Sequence, residues 1–227
     1  MSSSTAQNAF SFDQQGFDAF LEARDEPGWL TDLRRSAWRD FSERAWPARN
    51  EEEWFRTDIR LFKLDRFNLP HETGEPSQAV ATLTEGVELA GSSVSSNGIR
   101  EKVVLKPKWA EKGVLFGSLE ELVRDHGDRI QPYLMTKAFD STVDRFTALH
   151  AAAWSGGHVL LVPRGVVVDE PFHAFSTMAD GGVDTGHTLV VLEEGAEATM
   201  MAEQSSDGEK DKGLHCGAIE LIVQPGA

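Results

Sequence analysis

The sequence is poor in cysteine, in long apolar runs and in positive charge. Cys216 is its one cysteine among 227 residues, so no intramolecular disulfide can form and we expect a reducing, cytoplasmic location. No segment approaches the ~18 apolar residues of a membrane span, and the N-terminus MSSSTAQNAF lacks the layout of a signal peptide. The net charge of −15 argues against nucleic-acid binding, which needs a Lys/Arg-rich surface.

The N-terminal part has the spacing of amphipathic helices. We expect residues 1–9 to fray and PHETGEPSQA (70–79) to form a loop. Ser118 and Glu121 in SLEEL have the spacing of a capping box, which predicts a helix that ends near Arg124 or His126. The other predicted helices cover Asp13 to Arg24, a stretch that opens at Pro27 and includes Phe41, and Ser141 to Trp154.

From His158 onward the pattern changes to short valine-rich runs that end at glycines. The segments LLVPRGV (160–166), VVLEEGA (190–196) and LIVQPGA (221–227) align on Gly165, Gly195 and Gly226, with spacings of 30 and 31 residues. Only glycine easily adopts the positive φ that such corners often need. A recurring unit of this kind predicts stacked coils of a β-helix or a similar β-stack.

The stack needs several coils to be stable. A buried valine or leucine contributes ~1.5–3 kcal/mol, whereas ordering the backbone costs ~1–2 kcal/mol per residue. We therefore expect a mainly helical region with a few short strands over residues 1–150 and the start of the β-helix core over 151–227. Because the last coil would expose unpaired backbone, we also expect the natural protein to continue beyond Ala227 or a second chain to cover this edge.

Four pieces of the sequence, in this order, resemble the SufB/SufD family of the SUF iron–sulfur cluster assembly system, and its SufD branch more than its SufB branch. They are PARNEEEWFRTDI, GVLFGSLEELV, the stretch DRFTALHAAAWSGGHVLLVPRGVVVDEPFHAF, and HTLVVLEEGAEATMMAEQ with LHCGAIELIVQPGA. The resemblance implies an α+β protein, with an N-terminal helical region followed by a right-handed parallel β-helix. Family members are longer, so the sequence resembles an N-terminal portion.

The resemblance also implies a function. A SufD-like chain pairs with a SufB-like chain, and both bind a SufC-like ATPase, here through a part beyond this sequence. The chain would be a non-catalytic scaffold that binds no cofactor alone, with the iron–sulfur cluster held at the level of the complex. A homodimer is a further possibility. Arg49 and Trp54 are the signature residues of this resemblance, and we expect them to tie the N-terminal region to the rest.

Several residues are candidates for chemistry of their own. Cys216 is a weak candidate metal ligand beside His215, but neighbours in a strand point to opposite faces and would not converge on one metal. A free cysteine more often packs as a small hydrophobe. Glu193 and Glu194 are carboxylates beside a glycine corner, where solvation is the simpler reading.

Two alternative functions stay open. The first is a cupin-like, metal-dependent enzyme that uses His158, His173 and His187, although spacings of 15 and 14 residues form no compact motif. The second is a β-solenoid interaction module without a redox role. The absence of GxxxxGK[ST] and GxGxxG argues against nucleotide binding by this chain.

Overall fold

The computed structural model describes residues 10–71, 79–206 and 212–227. The predicted frayed N-terminus and most of the predicted 70–79 loop lie outside these residues. The helices are α1 (Gln14–Glu22), α2 (Gly28–Glu43), α3 (Pro107–Ala110), α4 (Leu119–Asp125), α5 (Gly127–Ile130) and α6 (Arg145–Ala153). In these ranges no helix combines the length and the apolar content needed to cross a bilayer.

Within the described residues, ten strands follow the first two helices. They are β1 (Gly91–Ser96), β2 (Ile99–Leu105), β3 (Leu115–Ser118), β4 (Gly157–Val162), β5 (Phe172–Met178), β6 (Val183–Asp184), β7 (His187–Leu192), β8 (Met200–Ser206), β9 (Leu214–His215) and β10 (Ala218–Val223). One sheet has the order β2-β1-β5-β8, a second has β10-β7-β4-β3, and β6 pairs with β9.

The prediction of a right-handed parallel β-helix is wrong. Both larger sheets mix parallel and antiparallel pairs, and neither closes. The pairs β4–β7, β7–β10, β1–β5 and β5–β8 are parallel, but β1–β2 and β3–β4 are antiparallel. The physical reason is that β1 and β2 form a hairpin through Asn97 and Gly98, whose positive φ values of 50° and 71° suit a tight turn. The hairpin therefore borders the parallel strand β5, and β3 borders β4, so antiparallel strands from the N-terminal half continue both sheets.

The helical layer follows its predicted amphipathic pattern. Asp13 caps α1 by accepting from the Gly16 N–H, and Asp144 caps α6 in a box with Thr147, which explains why α6 begins at Arg145 and not at Ser141. Pro27 is the N-cap of α2. The side chains that pack between these helices are Phe17, Phe20, Leu21, Ala37, Trp38, Phe41, Leu69, Ala148, Leu149, Ala151, Ala152 and Ala153.

The predicted capping box at Ser118 is wrong, although α4 does begin after it. The Ser118 side chain makes no cap hydrogen bond, and its buried hydroxyl has no partner. Ser118 is also the last residue of β3, where it pairs with His158. The sheet therefore fixes this residue in a position from which its hydroxyl does not reach the helix end.

Strand β4 is buried along its whole length because both of its faces are covered. Val159 and Leu161 pack towards α4, while Leu160 and Val162 pack between the two larger sheets. This two-sided burial is typical of a central parallel strand. Strands from both sides of residue 150 pair within the same sheets, and a domain boundary at that point stays a prediction.

Candidate functional site

A continuous row of buried polar groups links helix α6 to the edge of the second sheet. His150 Nδ1 lies 2.7 Å from the Cys216 carbonyl oxygen, and His150 Nε2 lies 2.9 Å from His187 Nδ1. His187 Nε2 lies 2.9 Å from Glu220 Oε1, which also accepts from the Met135 N–H at 2.7 Å. We call the side chains of His150, His187 and Glu220 the buried histidine chain; their exposures are 2%, 0% and 1%.

The hydrogen bonds fix the number of protons in the buried histidine chain. A carbonyl oxygen only accepts, so His150 Nδ1 must carry a proton. One further proton lies between His150 and His187, and a third lies between His187 and Glu220. Two imidazoles and one carboxyl group with three protons have no net charge. This neutrality suits a site that water does not reach, because an unbalanced buried charge is costly.

Burial keeps His150 neutral. Desolvation, followed by the neighbouring His187, lowers the pKa of His150 to about 3. Its one proton lies on Nδ1, so its Nε2 accepts from His187 Nδ1. Glu220 Oε2 is buried without a partner, while Oε1 accepts twice.

Local backbone features bring these three side chains together. His187 is the first residue of β7 and pairs with Gly157, whose φ is +100°. A Cβ at Gly157 would lie 2.0 Å from the His187 carbonyl oxygen, so no other residue fits. Met135 adopts a φ of +53°, rare for a residue with a side chain, and in that conformation its N–H reaches Glu220.

A further buried histidine, His158, joins the two larger sheets. His158 Nδ1 lies 2.8 Å from the Ser93 hydroxyl, and its Nε2 lies 3.0 Å from the Ser176 hydroxyl. Desolvation lowers the pKa of His158 to about 4. A neutral ring can accept from one hydroxyl and donate to the other, so His158 stabilises the contact between β4 and the strands opposite it.

The three histidines of the cupin-like alternative do not converge. His158 contacts serines and His187 contacts His150 and Glu220, whereas His173 Nε2 lies 3.1 Å from Glu203 Oε2. Across the described ranges, no group of three or more His, Cys, Asp or Glu side chains is arranged to hold a metal ion. No observation favours the enzyme alternative.

Cys216 and His215 have separate partners. The Cys216 sulfur lies 4.0 Å from the Phe146 carbonyl oxygen, and His215 Nδ1 lies 2.8 Å from Asp184 Oδ2. Burial raises the pKa of the Cys216 thiol to about 11, so this thiol is protonated at neutral pH. A protonated thiol is a poor metal ligand and a poor nucleophile.

The remaining sequence candidates lie at corners and on the surface. Gly165, Gly195 and Gly226 follow β4, β7 and β10 with φ values of +69°, +68° and +75°. Glu194 pairs with Arg164, and Glu193 accepts from the Arg164 N–H at 3.1 Å.

The signature residues Arg49 and Trp54 differ in burial. Arg49 is exposed, whereas Trp54 is half-buried and stacks on Phe146, with ring centroids 5.1 Å apart. Phe62 also packs edge-on against Phe146 at 5.2 Å. Leu61 of the same segment is 79% exposed.

Sequence reasoning missed a fully buried arginine. Arg34 pairs with Glu26 through two hydrogen bonds of 2.8 Å and donates to the carbonyl oxygens of Ala152 and Trp154 at the end of α6. Its guanidinium carbon also lies 4.2 Å from the centre of the Trp154 ring. The available signal was a charged residue on the apolar stripe of α2, between Leu30 and Trp38.

Apolar side chains are exposed along strand β10, the edge of the second sheet. Ile219, Leu221 and Val223 are 60%, 64% and 59% exposed, although their partners on β7 include Val190, which packs between the sheets. We call these three residues the open edge. The buried histidine chain is closed to solvent, whereas the side chains of the open edge are exposed to it.

These features define an α+β protein whose buried polar groups stabilise stacked sheets. The family model of the SufBD protein N-terminal region matches residues 15–173, and the chain belongs to the SufBD family. The chain is 27% identical to the iron-sulfur cluster assembly protein SufD of Bacillus subtilis, over 87% of this chain and 46% of that protein.

Two other curated relatives agree with this assignment. An iron-sulfur cluster assembly SufBD family protein of Synechocystis sp. is 27% identical, over 88% of this chain and 45% of its own length. The iron-sulfur cluster assembly protein SufB of Bacillus subtilis is 24% identical, over 89% and 46%. The chain thus spans about half the length of the curated relatives it matches.

Proposed function

We propose that this chain is a non-catalytic scaffold subunit of iron–sulfur cluster assembly in the cytoplasm, in the role of SufD. The single observation that carries the proposal is the match of residues 15–173 to the SufBD N-terminal region. The printed names of the relatives describe iron-sulfur cluster assembly proteins. The sealed polar interior supports a structural role, because its histidines contact other protein groups and no open site.

We propose that the open edge contacts a SufB-like chain. Edge strands present unpaired backbone groups that can pair with another strand, and an exposed apolar row adds buried area when they do. Ile219, Leu221 and Val223 lie on the face that continues the interior between the sheets. A partner strand here would extend the sheet and cover that interior at the same time.

We propose that a SufC-like ATPase and the cluster join at the level of the complex. The cluster is then cargo of the assembly and not a resident group of this chain. The raised pKa of Cys216 supports this view, since a protonated and half-buried thiol does not bind iron readily.

The experiment is co-purification of the tagged protein with SufB-like and SufC-like chains from the same genome. We expect a stable complex with the native protein and a loss of at least tenfold in recovered SufB-like chain with the double variant Ile219→Lys/Leu221→Lys. Val143→Lys is the matched control, since Val143 is 66% exposed and lies outside β10. Failure of the native protein to recover either chain would overturn the scaffold role, and full recovery with the double variant would overturn the role of the edge.

A further inference from the structure

A cavity of about 480 Å³ lies between the C-terminal end of α1, helix α4 and the start of β2. This volume is in the range of small-molecule sites, which is roughly 300–1,000 Å³. The cavity is separate from both the buried histidine chain and the open edge. Its walls carry charges of both signs and a patch of apolar and aromatic side chains.

Arg24 lines this cavity with unused hydrogen-bonding capacity. Its Nη1 donates to the Phe20 carbonyl oxygen at 3.3 Å and its Nη2 lies 3.5 Å from Glu120 Oε1, both long for such bonds. The Nε atom is buried and has no hydrogen-bond partner. Glu26 Oε1 forms an ion pair with this Nε at 3.6 Å, too long for a hydrogen bond, because both Glu26 oxygens bind Arg34 at 2.8 Å. The guanidinium also stacks on the Phe20 ring, with its central carbon 3.6 Å from the ring centre. Since its polar contacts are all long, the guanidinium can still bind a carboxylate from the cavity.

Negative charge lines the same cavity. Asp25 follows Arg24 in the chain and makes no ion pair with any residue in the described ranges. Glu120 lies on α4 one turn before Arg124, which adds a second positive charge and makes an ion pair with Asp125, outside the cavity lining. A simple anion would be repelled by these carboxylates, whereas a ligand with both charges would match them.

The apolar part of the wall is a stacked ring pair. The rings of Phe10 and His71 lie 4.8 Å apart with 13° between their planes. His71 is fixed by a bond from Nδ1 to the Leu69 carbonyl oxygen at 2.9 Å. Ile99 continues this surface at the start of β2. An apolar or aromatic group of a ligand can pack here.

We propose that this cavity binds a free apolar amino acid as its zwitterion. The α-carboxylate lies on the Arg24 guanidinium, the α-ammonium group on Asp25 and Glu120, and the side chain against Phe10, His71 and Ile99. This binding site goes beyond the proposed scaffold role. If the amino acid does not bind, the proposed contact with a SufB-like chain is unaffected, because the open edge lies on β10 and not at this cavity.

Isothermal titration calorimetry of the purified protein tests this site with L-phenylalanine and L-leucine. We expect saturable binding of at least one of them, and at least tenfold weaker binding of N-acetyl-L-phenylalanine and L-phenylalaninamide, which each lack one charge. Arg24→Lys keeps the charge but loses the planar fork, and should weaken binding at least tenfold. No saturable heat from either amino acid would overturn the proposal. Equal binding of the acetylated analogue would also overturn it.

A blocking variant separates the cavity from the fold. Ala23 is exposed and lines the cavity, so Ala23→Trp should fill the entrance and abolish binding. Gln15→Trp on the same helix is the matched control, because Gln15 is exposed and does not line the cavity. Thermal melting checks that each variant is folded. If Ala23→Trp is unfolded, Asp25→Asn replaces it, because Asp25 is exposed, lines the cavity and would hold the α-ammonium group, so binding should weaken at least tenfold. Undiminished binding in the folded blocking variant would refute the location.

Discussion

His150 Nε2 lies 2.9 Å from His187 Nδ1, and both imidazole rings are sealed from solvent. A hydrogen bond between two imidazoles requires that one ring donates while the other accepts, so the rings cannot both be protonated. The contact joins helix α6 to the first residue of β7, and Glu220 continues it to β10. Helical and sheet layers therefore depend on one another through a row of groups that balance only with a fixed number of protons.

Replacement of Glu220 by glutamine tests this balance. The side-chain amide of the Glu220→Gln variant cannot share a proton with His187. The buried histidine chain would therefore either hold an uncompensated positive charge or lose one of its hydrogen bonds. We expect Glu220→Gln to lower the free energy of unfolding by about 1–3 kcal/mol, measured by urea denaturation at pH 7. Glu101→Gln, at an exposed position of β2, should change it by less than about 0.5 kcal/mol. Equal stability of both variants would contradict the proton count.

The buried histidines predict acid sensitivity between pH 7 and pH 5. Burial lowers the pKa of His150 to about 3 and that of His158 to about 4, from an ordinary value of 6.5. Below pH 6.5 the histidines of the unfolded chain take up protons that those of the folded chain do not. The free energy of unfolding therefore has its full value above that pH and falls as the pH drops. Each histidine should remove about 2 kcal/mol from the free energy of unfolding between pH 7 and pH 5.

Neighbouring groups and a matched variant make this pH dependence specific. His187, Arg34 and His215 disfavour a positive charge on His150. For His158, Asp184 favours the charged form and His173 disfavours it. His215 acts against this loss of stability at low pH, because its hydrogen bond to Asp184 raises its pKa. The His215–Asp184 pair stabilises the fold at low pH, and its contribution is lost as the pH rises. His158→Gln should reduce the loss between pH 7 and pH 5 by about half. An unchanged pH slope in this variant would contradict the assignment.

Local signals in the sequence predicted α1, α2, α4 and α6, but not the short helices α3 and α5 or the order of the strands. The apolar spacing of α1 and α2 records burial on one face, and Asp13 and Pro27 mark where these helices start. The glycine spacing of about 30 residues reflects real parallel pairing between β4, β7 and β10. Spacing alone could not show that the hairpin β1–β2 joins the same sheet as β5, because that choice is made by long-range packing.

The candidate site was mostly invisible in the sequence. His150, His187 and Glu220 are separated by 37 and 33 residues, so no local motif connects them. His150 precedes three alanines that are all fully buried, which is a sign of close packing around it. Arg34 was hidden because a charged residue on a helix is usually solvated, and only its pairing with Glu26 makes its burial possible.

Two glycines with positive φ should respond differently to alanine. At Gly157 a Cβ would lie 2.0 Å from the His187 carbonyl oxygen, so Gly157→Ala must displace β7. At Gly165 no heavy atom lies within 4 Å, and the cost is backbone strain of about 1–2 kcal/mol. We expect Gly157→Ala to lower the melting temperature by more than twice as much as Gly165→Ala. Equal melting temperatures for the two variants would contradict the close approach.

The Trp54 side chain is half-buried, which reduces the loss of ~3–5 kcal/mol expected for a buried indole. Its main contact is the stacked ring of Phe146, at a centroid distance of 5.1 Å. We expect Trp54→Ala to lower the free energy of unfolding by about 1–2 kcal/mol, because stacking and partial burial are lost. Phe55→Ala is the control; that ring is 56% exposed, and the change should stay within about 0.5 kcal/mol. A larger loss for Phe55→Ala than for Trp54→Ala would show that the neighbouring ring anchors this segment.

Removal of Arg34 should strongly destabilise the helical layer. Arg34→Met keeps the apolar stem but leaves the Glu26 carboxylate, and the carbonyl oxygens of Ala152 and Trp154, without their buried donor. A buried pair broken on one side costs about 3–5 kcal/mol, and we expect a loss in this range by urea denaturation. Arg24 lies 3.6 Å from Glu26 and can compensate part of the freed charge, which places the loss towards the lower end.

A double-variant cycle separates the ion pair from the carbonyl contacts of Arg34. Glu26→Gln in the Arg34→Met background removes the uncompensated carboxylate. The double variant should therefore lose about 1–3 kcal/mol less free energy of unfolding than the two single variants lose together. The carbonyl oxygens at the end of α6 stay without their donor in both backgrounds, which leaves part of the loss unrecovered. Strict additivity of the two substitutions would mean that the Glu26–Arg34 pair contributes no coupling, and that Arg34 acts only through the end of α6.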